Sequence, residues 1–332
     1  AQAIFSLVGP SRDRTRSNRM ESDMWGSKLG DMSQPGYKPF SVPSLNSRNG
    51  ALVKMMGADL SPLIDAEGMI YITSQRRRIT KLNDEGVYQW RVQITEKQGK
   101  ERGCFASSPA LLGRELLVIT DKGFAVSINT KTGKETWARQ YAEGGCAVDL
   151  GAVAASSGCL VASGKDSKEN EILNFNTDIF CLDASNGKEK WKVKSKLGVM
   201  CFVPSIVNGL VVFQSINGEV SCHNLADGAT KWMSKPAGQV STGCAVVCAA
   251  TNMVYSTANL RGKKAWNMPS GGKGAIRAFD LKTGDIKWEK QLDMEANAPP
   301  AVAPAGPDGR QTLYVGIGAN PGTFEKPTGD MW

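Results

Sequence analysis

Asp280-Leu281-Lys282-Thr283-Gly284-Asp285-Ile286-Lys287-Trp288 is the stretch that decides the fold, because its spacing recurs along the chain. Asn129, Gly133 and Trp137 repeat it, as do Asp183, Gly187 and Trp191, and Asn224, Gly228 and Trp232. In each copy a short polar residue is followed four positions on by Gly and four further on by Trp. A fifth copy joins Gly86 to Trp90, with its Asn one place nearer at Asn83. One rule therefore places five of the eight tryptophans. Self-similarity of this kind marks a repeat architecture.

The physics of one copy is local. An apolar alternating run, such as Ile276 and Ala278 or Ile179 and Cys181, leads into a polar turn. The Asn or Asp side chain can close that turn by hydrogen bonding, and Gly supplies a positive φ without a Cβ clash. A short strand ending in Trp follows, so each copy reads as a β-hairpin with a four- or five-residue loop.

A second pattern precedes each hairpin. Ser61-Pro-Leu-Ile pairs with Met69 to Thr73, Ser108-Pro-Ala-Leu with Leu116 to Thr120, and Gly151-Ala-Val-Ala with Cys159 to Ser163. Pro204-Ser-Ile-Val pairs with Leu210 to Gln214, and Ala245-Val-Val with Met253 to Ser256. One unit is thus four short strands, and the Trp-to-Trp intervals are 47, 54, 41 and 56 residues. That is the period of a β-propeller blade. The expected architecture is all-β, with five complete four-stranded antiparallel blades and a sixth begun.

These motifs resemble the tryptophan-docking repeats of the PQQ-like, quinoprotein-type β-propeller family, over about residues 58–332. The resemblance implies that the Trp of one blade packs on its neighbour in a girdle around the ring. Carried over, the girdle residues are Trp90, Trp137, Trp191, Trp232 and Trp288, with Gly86, Gly133, Gly187, Gly228 and Gly284 in the turns. A quinoprotein dehydrogenase of this kind would also carry an adjacent Cys-Cys pair, a catalytic Asp, and Glu, Asn and Asp ligands for Ca²⁺. The sequence holds no Cys-Cys dipeptide and no Cys-x-x-Cys-His haem motif, and nothing singles out an acid such as Asp149. His223, the one histidine, takes the strand position held elsewhere by Ile128, Leu182 and Phe279, and reads as a packed residue. No catalytic residue, cofactor or metal is therefore expected.

Three regions follow from the pattern: an extended N-terminal arm over 1–57, the repeats over 58–318, and a tail or unfinished blade loop over 319–332. The arm concentrates Arg12, Arg14, Arg16 and Arg19 and lacks sustained periodicity. It lies along a partner or packs on its own domain. Ala298 to Val302 and Leu313 to Ile317 begin a sixth unit whose third strand does not follow. Either the sequence is a piece of a longer one, or the arm or another chain completes the ring. The chain starts at Ala1 rather than Met, which favours a processed protein of an organelle lumen or extracytoplasmic compartment.

Extra residues in the third and fifth repeats fall between second and third strands, near Lys165 to Asn176 and Asn259 to Gly274. Blade topology sends these loops to one face. Loops carry binding more often than scaffolds do. Arg261, Lys263, Lys264 and Trp266 combine cations with an aromatic, an interface-like composition; the alternative is a solvated loop with Trp266 folded onto its own blade. Cys104, Cys146, Cys201 and Cys244 each stand before a blade's first strand, which places four thiols near the channel on that face. They form a metal or redox ring, or serve as small apolar residues. A net charge of +8, spread along the chain, does not signal nucleic-acid binding. No apolar run approaches the ~18 residues of a transmembrane helix. The expected partners are other protein subunits, with peripheral association with a membrane complex open. The expected function is a non-catalytic scaffold, a subunit or assembly factor of a larger complex. The alternatives are a quinoprotein-like oxidoreductase with missing blades, or a thiol-based metal or redox module.

Overall fold

Strands and turns build the whole of the computed structural model, which describes residues 27–28, 60–74, 77–94, 101–148, 151–166, 175–238, 241–260, 273–305 and 311–318. The first blade comprises β1 (Leu63–Ile64), β2 (Ile70–Ser74), β3 (Arg78–Leu82) and β4 (Tyr88–Gln93). The second comprises β5 (Ala110–Leu112), β6 (Glu115–Ile119), β7 (Phe124–Asn129) and β8 (Glu135–Gln140). The third holds β9 (Ala154–Ser156), β10 (Cys159–Gly164), β11 (Asn176–Asp183) and β12 (Glu189–Val199). The fourth holds β13 (Ser205–Val207), β14 (Leu210–Gln214), β15 (Val220–Asn224) and β16 (Thr230–Met233). The fifth holds β17 (Ala245–Cys248), β18 (Met253–Leu260), β19 (Lys273–Asp280) and β20 (Ile286–Leu292). A last sheet pairs β21 (Ala301–Ala305) with β22 (Gln311–Tyr314).

Each of the five four-stranded sheets runs in simple chain order, all neighbours antiparallel, as in a propeller blade. The sequence accounts for the layering. Second and third strands such as Leu116-Leu-Val-Ile and Ile179-Phe-Cys-Leu are apolar throughout because both faces are covered. Fourth strands such as Glu189-Lys-Trp-Lys-Val-Lys alternate, because they form the outer rim.

Neighbouring blades share their cores. Leu63, Tyr71 and Ile79 of the first blade pack with Leu116, Val118 and Ile128 of the second. Leu117 and Ile119 meet Leu160, Phe180 and Leu182, and Val161 and Ile179 meet Val211 and Phe213. Val212 and Val220 meet Val254 and Phe279, and Val246 and Tyr255 meet Val302 and Leu313 of the last sheet. The innermost strands are also stitched by polar contacts. Ser108 Oγ accepts the Ser61 N–H at 3.2 Å, the Ala152 N–H donates to Phe202 O at 2.6 Å, and Ser205 Oγ donates to Ala245 O at 3.3 Å.

Candidate interaction surface

The repeating turn forms as its residue types require. The Gly133, Gly187, Gly228 and Gly284 N–H groups donate to the carbonyls of Asn129, Asp183, Asn224 and Asp280 at 2.7–2.9 Å. Asp280 Oδ1 also accepts the Lys282 and Thr283 N–H groups, at 2.9 and 3.1 Å, and these bonds hold its carboxyl below its ordinary pKa. In the first repeat, Asn83 and Gly86 close a turn one residue shorter, with the Gly86 N–H on Asn83 O at 3.0 Å.

One feature at each Trp is invisible in a one-dimensional pattern. Every third–fourth strand pair breaks register one place before the Trp. Trp90, Trp137, Trp191, Trp232 and Trp288 lie opposite Lys81, Ser127, Cys181, Cys222 and Ala278, while Gln89, Thr136, Lys190, Lys231 and Lys287 are left unpaired. A bulge re-aims the side chain beside it. Beside it, Trp90, Trp137, Trp191 and Trp232 reach the following blade.

Four of the indoles dock there in the same way. Trp90, Trp137, Trp191 and Trp232 donate Nε1–H to the carbonyls of Thr130, Ala184, Leu225 and Leu281, at 3.0, 3.1, 2.8 and 2.8 Å. Each acceptor directly follows the Asn or Asp of the next blade's turn. The same rings cover that turn's glycine. A Cβ at Gly133, Gly187, Gly228 or Gly284 would lie 2.9, 2.5, 2.8 or 2.5 Å from the neighbouring indole. Trp191 and Trp232 are buried, and Trp90 and Trp137 are half-buried. Trp288 differs, being 42% exposed. Among the described residues no such turn stands against Trp288.

The connections between blades and the loops between second and third strands meet on one face. The Cys146 N–H donates to Asp121 O at 2.9 Å, Gly144 to Lys165 O at 2.9 Å, and Ser241 to Ile216 O at 2.7 Å. A cavity of about 390 Å³ opens there, lined by Glu101, Asp121, Lys122, Gln140 and Glu143 among others. Two of its acids are already engaged. Asp121 Oδ1 accepts the Cys104 N–H at 2.8 Å, and Glu101 pairs with Arg77 at 2.7 Å. Further round, Asn259 Nδ2 donates to Asn297 Oδ1 at 2.7 Å, and Asn297 Nδ2 to buried Glu295 Oε2 at 3.1 Å. The sequence pattern had no signal for either group. Arg261, Lys263, Lys264 and Trp266, the arm arginines 12, 14, 16 and 19, and Asp149 lie outside the described residues.

All eight cysteines are free thiols. Cys146 and Cys244 are buried members of inter-blade cores. Cys104 and Cys201 are half-buried, and no cluster of three metal-ligating side chains exists among the described residues. Burial pushes the Cys222 and Cys244 thiols up to about 12, and raises Cys181 as well. His223 stacks on Phe213 with ring centroids 5.2 Å apart and shares a 3.1 Å hydrogen bond between Nδ1 and Gly228 O. Burial lowers its pKa. Arg277, 1% exposed, sits over the Phe279 ring, donates Nη1–H to Lys235 O at 2.9 Å and Nη2–H to Gly218 O, and so ties the fifth blade to the fourth.

Comparison with known proteins fits this geometry. The model of the family described as outer membrane protein assembly factor BamB matches residues 49–234 and 176–321. The chain belongs to this family. It is 26% identical over 202 residues to the BamB of Burkholderia pseudomallei, covering 58% of this chain and 44% of that one. Against the BamB of Yersinia pestis identity is 22% over 196 residues, with 57% and 44% covered. The chain therefore spans a little under half the length of these family members. The crystal structure of BamB from Moraxella catarrhalis superposes with a TM-score of 0.52 at 14% identity, over 82% of this chain and 75% of that one. That likeness is one of fold, a β-propeller of PQQ-like repeats. No helix among the described residues is long and apolar enough to cross a membrane.

Proposed function

We propose that this chain is a non-catalytic propeller scaffold that binds other proteins, as a subunit or assembly factor of a larger complex. The observation that carries the reading is how the fold uses its reactive side chains. Cys181, Cys222, Cys244 and Arg277 are buried and hold blades together by hydrogen bonds or core packing, while His223 is buried in a ring stack within its own blade. Meanwhile, connections and loops gather on one face, the arrangement in which a rigid scaffold presents a binding surface. The relatives named as assembly factors support the same class of role.

In this reading the partner contacts Arg261, Lys263, Lys264 and Trp266, with Arg12, Arg14, Arg16 and Arg19 as a second attachment. A cation-plus-aromatic loop suits an acidic or mixed protein surface, and the phased thiols Cys104, Cys146, Cys201 and Cys244 are packing elements beneath it. The test is native co-purification from the source cells with the full chain and with Lys263→Ala/Lys264→Ala/Trp266→Ala. The expected result is a partner retained by the first and depleted with the second, at unchanged thermal stability. Equal recovery with both would place the scaffold's contact elsewhere.

A further inference from the structure

The blade brings three positions to one point: the residue opposite the turn's Asn or Asp, the residue opposite the Trp, and the bulged residue before the Trp. In the second blade these are Glu115, Ser127 and Thr136. Glu115 Oε2 accepts the Ser127 hydroxyl at 2.5 Å and the Thr136 hydroxyl at 2.8 Å, so the three side chains meet. The fourth and fifth blades put apolar Leu210 and Met253 at the first position. In the third blade the same positions hold Cys159, Cys181 and Lys190. Lys190 Nζ donates to Cys159 Sγ at 3.3 Å. Cys181 stands diagonally across from Cys159 on β11, and burial, then the neighbouring Cys159 sulfur, pushes its thiol up. Cys159 and Cys181 are 2% and 0% exposed, in the core shared with the fourth blade, whereas Lys190 is exposed. Redox-sensing cysteines sit beside a cation with a resolving thiol at hand. This trio has both.

We propose that Cys159 is a thiol oxidised by hydrogen peroxide and resolved by Cys181, closing a reversible disulfide between β10 and β11. The proposal goes beyond the scaffold reading and does not depend on it. Cys159, its proton lost to solvent, attacks the peroxide: an S–O bond forms, the O–O bond breaks, and the departing hydroxide takes a proton from the Lys190 ammonium to leave as water. Lys190 regains a proton from solvent. The Cys181 thiol then attacks the sulfenic sulfur: S–S forms, S–O breaks, and hydroxide leaves with the Cys181 proton as a second water. Two thiols lose two electrons, and the peroxide takes them up. Diagonal neighbours in an antiparallel pair lie about 7–8 Å apart at Cα, just beyond the about 6.8 Å of a relaxed disulfide. Closure therefore draws the strands together under strain, and strained disulfides are the readily reduced ones. Cys181 Sγ and the Trp191 indole share Leu225 O, at 4.0 and 2.8 Å, so the step is felt where the third blade is tied to the fourth.

The test treats the full chain with hydrogen peroxide at neutral pH, blocks remaining thiols with N-ethylmaleimide in denaturant, and maps the cysteine peptides by mass. The expected result is a peptide joining Cys159 to Cys181, two hydrogens lighter than its parts and separated by dithiothreitol. Lys190→Met should form it at least about tenfold more slowly, because the proton donor is gone. Lys190→Arg should keep most of the rate at the same Tm, a rescue that a merely structural lysine would not show. Cys181→Ser, which installs the residue type that the second blade carries as Ser127, should leave Cys159 as a sulfenic acid trapped by dimedone. Both thiols still free once Cys248 is fully oxidised would overturn the proposal, as would equal rates in the wild-type and Lys190→Met chains. So would oxidation of buried Cys222 in step with Cys159, since peroxide would then be entering through opened blades.

Discussion

Gly228 and Gly209 offer a matched pair for testing how the blades are held. Both lie in turns of the fourth blade, and both have φ of 74°. They differ in surroundings. A Cβ at Gly209 meets nothing within 4 Å, whereas one at Gly228 falls 2.8 Å from Cδ2 of Trp191. Alanine at either position incurs the left-handed backbone cost of about 1–2 kcal/mol. At Gly228 it must also displace a buried indole whose N–H is fixed to Leu225 O at 2.8 Å, an overpacking cost of about 1–3 kcal/mol more. Gly209→Ala should therefore destabilise by about 1–2 kcal/mol and Gly228→Ala by about 2–5. Urea midpoints from far-UV circular dichroism measure both. Adding Trp191→Ala to each should shrink the gap, since the added methyl then finds room. Equal destabilisation by the two glycine changes would show that the indole does not hold the turn, and would refute the docking argument.

Other outcomes follow from the same geometry. Trp191→Ala should cost about 3–5 kcal/mol as a buried truncation, and Trp288→Ala under about 1, compared in the same urea series. His223 has a pKa lowered by burial, so the native state stays neutral where the unfolded chain, near pH 6.5, takes up a proton. Its contribution is fully present above that pH and is lost as pH falls toward the native value; His223→Phe should flatten the Tm-versus-pH profile there. Cys248 should be the first thiol alkylated by iodoacetamide, read by peptide mass mapping. Burial opposes its ionisation, but hydrogen bonds from Thr251 and from Gln311 Nε2, the latter at 2.9 Å, hold it below its ordinary pKa. Early labelling of Cys222 or Cys244 instead would mean the blades open readily.

The four-stranded unit was legible because its determinants are local. Asn129 to Gly133 encodes a turn by side-chain bonding and positive φ, and Leu116 to Ile119 encodes a strand covered on both faces. His223 was readable as a packing residue because its position in other repeats is apolar. What escaped is relational. The bulge at Thr136 or Lys190 depends on how two strands pair, and polar residues there give no sign of it. Arg277 falls in an alternating strand where a charge suggests solvent, yet carbonyls of the neighbouring blade enclose it. The spacing that marks Trp288 as a docking residue says nothing about whether a neighbour arrives to cover it.

Native mass spectrometry of the protein, gently affinity-purified from its own cells, tests the scaffold reading most directly. The expected result is a stoichiometric polypeptide partner on the propeller, with no small-molecule mass retained by the chain. The chain recovered alone with a stoichiometric quinone would contradict it.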